Sequence, residues 1–310
     1  MTTMLRRFFL WCSESAWLAE KLPHMPFVRR SVQRFVPGEG LDDALGAVDR
    51  LRDHGIASVL TRLGEHVHSE AEATEVADHY VAVLEREVET GRDAEISVKL
   101  TQLGMEQSTA LALRNLFRLC REAATRDNFV WVDMEDSSYV DRTLEVYRGA
   151  RSEHANVGLC MQAYLRRTAA DLEGVLEGGG QVRLVKGAYD EPADVAFPEK
   201  SDVDENYASL AERLLDHIGK AGGRQAFATH DLALVERVRT AARATGIAPE
   251  AYEIQMLYGI QAEAQRRLSA EGENVRTLIS YGSEWFAWYM RRLAERPANV
   301  TFVLRNLLSG

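Results

Sequence analysis

Short runs of valine, isoleucine, leucine and aromatic residues recur along the chain, each followed by a polar turn and then by a segment whose apolar residues repeat at helical spacing. Eight such runs predict strands over residues 56–61, 95–100, 129–134, 156–162, 181–187, 225–229, 251–256 and 274–280. Three intervening helices open on pairs spaced as capping boxes: Ser69 with Glu72, Ser138 with Asp141, and Thr168 with Asp171. Glycines at 178–180 and 222–223 read as helix stops. Nearly continuous apolar strands separated by helices imply a parallel sheet covered on both faces. Eight units favour an α/β fold of the (β/α)8 barrel type over the runner-up, an open doubly wound sheet. Only seven prolines and no low-complexity tract leave no linker, so the expected organisation is one barrel domain over 41–310 after an N-terminal helical extension over 1–40.

Composition narrows the class without naming a function. The 310 residues are 46% hydrophobic and 27% charged, as expected of a soluble globular protein, and the net charge of −10 argues against general affinity for nucleic acid. Cys12, Cys120 and Cys160 are far apart and odd in number, which fits a reducing cytoplasm rather than a disulfide framework or a zinc ribbon. Residues 1–35 carry six lysines and arginines against two glutamates. Arg6-Arg7 followed by Phe8, Phe9 and Leu10 has a superficial likeness to an export signal, but Ser13, Glu14 and Ser15 cut the apolar run short. No stretch approaches the roughly 20 apolar residues of a membrane span. The same segment could lie at a membrane interface or pack as an ordinary helix against the domain.

Polar residues gather where the predicted strands end, which in a (β/α)8 barrel is the face that builds the active site. They are Lys99, Asp133, Gln162, Arg183, Lys186, Thr229, His230 and Gln255. Each has a structural alternative: Asp133 could cap the next helix, and Lys186 could pair with a nearby carboxylate. Arg183, inside an otherwise apolar run, is harder to explain that way because its guanidinium stays charged. Glu65-His66-Val67-His68 has metal-ligand spacing but lies past its strand without further ligands, so a helix-entry surface is favoured and no metal is expected. Beyond the last strand, Arg291 and Arg292 could clamp a carboxylate, while Glu295 could simply pair with Arg291 one turn away. The glycine triplet follows a helix rather than opening one, and neither GxGxxG nor GxxxxGK[ST] is present.

Taken with these positions, the segments SVKLTQLG at 97–104, VDMEDS at 132–137, VRLVKGAY at 182–189, FATHD at 227–231, QMLYG at 255–259 and YMRRLAERPANVTFVLRNL at 289–307 resemble the monofunctional bacterial proline dehydrogenase family, in the family's order. The resemblance implies a distorted (β/α)8 TIM-like barrel that holds FAD non-covalently and oxidises L-proline to Δ1-pyrroline-5-carboxylate by hydride transfer from substrate C5 to flavin N5. By the same resemblance, Met134, Gln162, Arg183, Lys186, Gly187, Ala188, Thr229, His230 and Glu295 would surround the flavin. Lys99, Asp133, Tyr189, Leu257, Tyr281, Arg291 and Arg292 would line the amino-acid pocket, with Asp133 and Arg183 as the catalytic pair. It further implies a quinone-type electron acceptor, transient contact with the inner face of the membrane, and a pyrroline-5-carboxylate dehydrogenase as functional partner.

One position departs from the family. Its strand-eight segment usually has a tyrosine four residues before the glycine; here the segment reads Leu278-Ile279-Ser280-Tyr281-Gly282. Leu278 therefore replaces a substrate-ring contact, which opens the alternative of hydroxyproline or another modified cyclic or secondary amine as substrate. Other classes compatible with the residues are a lyase using Lys99 or Lys186 as a Schiff-base nucleophile, and a flavin-binding or membrane-associated regulator.

Overall fold

Eight parallel strands close on themselves, each hydrogen-bonded to its neighbours in chain order and the last to the first. The computed structural model describes residues 32–64, 66–286 and 289–290. In chain order the elements are α1 (Leu41–Arg52), β1 (Ala57–Arg62), α2 (Glu70–Glu89), β2 (Ala94–Val98), α3 (Thr109–Ala124), β3 (Val130–Val132), α4 (Val140–Glu153), β4 (Val157–Gln162) and α5 (Thr168–Glu177). They continue with β5 (Gln181–Val185), α6 (Lys200–Ala221), β6 (Gln225–Ala228), α7 (Leu232–Ala244), β7 (Tyr252–Leu257), α8 (Ala262–Ala270) and β8 (Val275–Tyr281). The closed barrel settles the alternative of an open sheet. Closure pairs Ala57 with Arg276 at one end and Arg62 with Tyr281 at the other.

All eight strand expectations fall on observed strands, because valine and isoleucine runs bounded by turn residues can be buried on both faces only in such a sheet. Helix starts were less legible. Ser69 caps α2, its Oγ accepting from the Glu72 amide at 3.2 Å. Ser138 does not cap α4: the Asp136 carboxylate caps a 3₁₀ turn over Ser137–Tyr139 by accepting from the Ser138 amide, and α4 follows that turn with no side-chain cap of its own. Thr168 lies inside α5 and donates to the Gln162 carbonyl, so it is not a cap either. Ser108 and Asp231 cap α3 and α7.

Two apolar layers fix the barrel's position relative to its mouth. Outward residues of the strands, such as Ile96, Val132, Leu159 and Ile279, pack against the helices in one continuous core. Helix α1 packs against β1 and β8 and so completes the outer layer there. A second cluster joins Val32 and Phe35 to Leu63, Ile260, Trp285 and Tyr289, which lies over the carboxyl ends of β1 and β7. Met290, the last described residue before Arg291, belongs to it.

Candidate active site

Alternation along the strands sorts side chains between helix layer and barrel interior. On β2 it turns Glu95 and Ser97 inward, with Lys99 following on the same face; on β3 it turns Trp131 and then Asp133 inward; on β5 it turns Arg183 inward. These meet. Arg183, only 3% exposed, donates from Nη1 to Asp133 Oδ1 at 3.0 Å and to Ser97 Oγ at 2.8 Å, while Ser97 Oγ donates to the same carboxylate oxygen at 2.8 Å. Asp133 is therefore the partner of Arg183 and not a helix cap.

The pairing leaves Arg183 incompletely satisfied. Its Nε and Nη2 are buried without a hydrogen-bond partner, as are Gln162 Oε1, Gln255 Oε1 and Ser280 Oγ. Leaving such atoms unpaired in a closed interior costs about 1–3 kcal/mol each, so several on the inner faces of the strands point to a ligand with polar edges. The Gln162 amide nitrogen is held by the carbonyls of Met134 and Glu135, which leaves its Oε1 free of other duties. Cys160, on the inner side of β4, is pushed up to about 12 by burial and then by the Asp133 charge, so it stays a neutral thiol.

Other expected flavin neighbours are placed differently from one another. Lys186 falls out of phase with Arg183 and reaches the Asp204 carboxylate of α6 and Asp231 Oδ2, the latter at 3.1 Å. Burial opposes the charged form of Asp231, but Lys186 and Lys200 overcome it and hold the carboxyl at about 2. Lys186 is thus held in a charge cluster with Asp204, Lys200 and Asp231. At Gly187, φ is +113° and an added Cβ would lie 2.1 Å from the Tyr164 ring, so this glycine makes room for an aromatic side chain. Thr229 Oγ1 accepts from the Asp231 amide, and His230 Nε2 accepts from the Leu257 amide at 2.9 Å. Met134 is buried, and Ala188, Tyr189 and Leu257 are half-buried at the strand ends.

Tyr281 is a correction. Because Leu278 and Ser280 face inward, the period-two alternation turns Tyr281 outward, where it is buried between β8 and α2 and shares a 2.7 Å hydrogen bond with His79 Nε2. It belongs to the helix layer and does not line the mouth. Leu278 does face the interior, packing against Val59, Phe129, Trp131 and Ala226. Arg291, Arg292 and Glu295 lie outside the described residues. His66 of the HxH pattern pairs through Nδ1 with Glu106 at 3.0 Å, and among the described residues no cluster of acidic, histidine and cysteine side chains is suited to a metal.

Below this layer lies a group that the strand-end reading missed. Arg224 and Arg276 each bridge Glu95 and Glu253, and Gln255 donates to Glu253 at 2.7 Å. Two cations and two anions make this barrel floor neutral. The signal was present in the sequence as same-face polar positions, Glu95-x-Ser97-x-Lys99 and Glu253-x-Gln255, inside runs otherwise apolar.

The family profile described as Proline dehydrogenase matches residues 44–305. The chain belongs to the proline dehydrogenase family. It is 38% identical over 305 residues to Proline dehydrogenase 1 of Bacillus subtilis (strain 168), covering 98% of this chain and 99% of that one. It is 40% identical over 283 residues to Proline dehydrogenase of Deinococcus radiodurans, covering 90% of each. Among solved structures, proline utilization A (PutA) from Bdellovibrio bacteriovorus, inactivated by N-propargylglycine, superposes with a TM-score of 0.79 at 27% identity. That match covers 86% of this chain and 33% of the other, so the chain spans about a third of that protein. In this family member the unpaired atoms of Arg183 and Gln162, two residues the resemblance assigns to a cofactor, lie on the inner side of the strands, with Gln255 Oε1 on the same side. No helix among the described residues is long and apolar enough to cross a membrane.

Proposed function

We propose that this proline dehydrogenase family member oxidises L-proline to Δ1-pyrroline-5-carboxylate with non-covalently held FAD. The observation that carries the reading is the Arg183 guanidinium, buried and fixed through Nη1 yet with Nε and Nη2 unpaired at the inner mouth of the barrel. A flavin's carbonyl and ring-nitrogen edge offers the acceptors such a guanidinium lacks, and Gln162 Oε1 offers an acceptor for a flavin N–H. The donor set therefore fits the group. When bound, FAD supplies the two-electron acceptor for the hydride lost from proline C5.

The chain's own residues would do the rest. Arg183 holds positive charge where negative charge grows, and Asp133 with Ser97 fixes its orientation before substrate arrives. Lys99, two residues after Ser97, would line the substrate side, as the resemblance implies. Arg291 and Arg292, assigned from the sequence, would grip the substrate carboxylate and so set which ring carbon faces the cofactor. No protein nucleophile is required. The cationic N-terminal segment and a quinone-type acceptor complete the proposal, with membrane contact transient and a pyrroline-5-carboxylate dehydrogenase consuming the product.

A second reading has its own support. Leu278 faces the interior where the family usually has a tyrosine, and the neighbouring inward Ser280 Oγ is buried without a partner. A ring hydroxyl could satisfy it, which favours a hydroxylated or enlarged cyclic amine as a competing substrate. Flavin content decides between enzyme classes: acid precipitation should release about one FAD per chain, as one such site per barrel predicts. A folded protein that stays colourless after incubation with FAD overturns the flavoenzyme reading, and borohydride trapping of substrate on Lys99 or Lys186 would establish the lyase instead.

A further inference from the structure

The Arg183 guanidinium lies over an aromatic ring as well as being hydrogen-bonded through Nη1. Its Cζ lies 4.6 Å from the centre of the Trp131 ring, on the same strand face as Asp133 two residues on. Trp131 is wholly buried, and its own orientation is fixed three ways. The indole Nε1–H donates to Glu95 Oε2 at 2.8 Å; the Phe129 ring packs against it at 4.9 Å; and a Cβ on Gly158 would come within 2.5 Å of its six-membered ring. Only glycine at 158 leaves space for an indole there. Glu95 is in turn locked by Arg224 and Arg276.

An arginine side chain has many rotamers, and two hydrogen bonds to one nitrogen still allow the guanidinium to tilt. An indole ring packed against the guanidinium restricts that tilt, because the cation is attracted to the π-surface. The direction of the spare Nε–H and Nη2–H donors is then set before any ligand binds. Preorganised donors stabilise a developing negative charge more than mobile ones do, since no reorientation is needed at the moment the charge forms.

We infer that Trp131 is a positioning residue for Arg183: the barrel floor, through Glu95 and the indole, aims the unpaired guanidinium donors and so raises the reduction potential of the bound flavin. This rests on the flavin reading above.

The test uses full-length holoprotein and measures the two-electron midpoint potential of bound FAD in wild type, Trp131→Phe and Trp131→Leu, with flavin content and melting temperature recorded for each. Trp131→Leu removes the ring and should weaken binding of reduced relative to oxidised FAD about tenfold, lowering the potential by about 30 mV. Trp131→Phe keeps a smaller ring and should fall between, at about threefold or roughly 15 mV. A role confined to packing would lower the melting temperature of both variants and leave the potentials together. Potentials within 5 mV of wild type in flavin-loaded variants would therefore overturn the inference while leaving the flavoenzyme assignment intact. Should Trp131→Leu fail to fold, the threefold effect in Trp131→Phe decides alone. A wild-type protein that takes up no FAD overturns both this inference and the reading it rests on.

Discussion

Replacing Tyr281 by phenylalanine separates a pocket residue from a packing residue. The ring is 1% exposed between β8 and α2, and its hydroxyl makes one contact of consequence, the 2.7 Å hydrogen bond to His79 Nε2. Tyr281→Phe deletes that bond without changing the ring's volume, and leaves the imidazole nitrogen to a half-buried site with limited access to water. A lost bond of this type costs about 1–2 kcal/mol, and at roughly 2–4 °C per kcal/mol for a large domain the melting temperature should drop by several degrees. Burial, reinforced by Arg62, lowers His79 to about 4, so the imidazole is neutral through the assay range. Because an ordinary histidine titrates near 6.5, the unfolded chain takes up a proton that the fold refuses; that stability is present above 6.5 and is lost as pH falls toward 4. The assay is urea unfolding at pH 7.5 beside steady-state kinetics with L-proline. Lower stability with KM unchanged is expected. A KM raised severalfold at unchanged stability would refute the outward placement and return Tyr281 to the pocket.

Three further outcomes follow from single side chains. Burial pushes the Glu87 carboxyl up to about 7 from an ordinary 4.5, so wild-type stability falls as pH rises between those values; Glu87→Gln, which keeps an acceptor for the Ala94 amide, should be more stable than wild type by up to about 3 kcal/mol above pH 7 and equal to it near pH 4, and parallel stability curves would disprove this. Leu278→Tyr should lower kcat/KM for trans-4-hydroxy-L-proline and L-pipecolate relative to L-proline by roughly fivefold, the worth of about 1 kcal/mol of ring contact; identical ratios in the two proteins would show that Leu278 does not set specificity. Arg291→Met or Arg292→Met should raise KM roughly tenfold to hundredfold while FAD stays bound, as losing a charge-assisted carboxylate contact of about 1.5–3 kcal/mol requires, and wild-type KM in both would eliminate the clamp.

The barrel was legible because its strands are buried on both faces, and the chain supplies short runs rich in apolar residues at regular spacing with polar turns between them. Arg183 and Asp133 were legible for the complementary reason: a charged group within an apolar strand must find a partner, and here each is the other's. Facing direction was harder. Family likeness carried Tyr281 to the pocket, whereas the alternation that turns Leu278 and Ser280 inward sends it to His79. Lys186 was read as a flavin neighbour with carboxylate pairing as the alternative, and its odd spacing from Arg183 gives it to Asp204 and Asp231. The floor of Arg224, Arg276, Glu95 and Glu253 escaped notice because its members come from distant strands, and only closure brings them together. Caps misplaced at Ser138 and Thr168 reflect how many serines and threonines satisfy the spacing rule without meeting the helix end.

The central claim, that this fold member is a flavin-dependent amine dehydrogenase, is tested most directly by adding L-proline anaerobically to the purified, FAD-loaded protein and recording its visible spectrum. The flavin band should bleach in a single exponential whose rate saturates with proline, and Δ1-pyrroline-5-carboxylate should form in an amount equal to the flavin reduced. A spectrum unchanged by saturating proline, hydroxyproline and pipecolate, in protein that retains its flavin, would contradict the account.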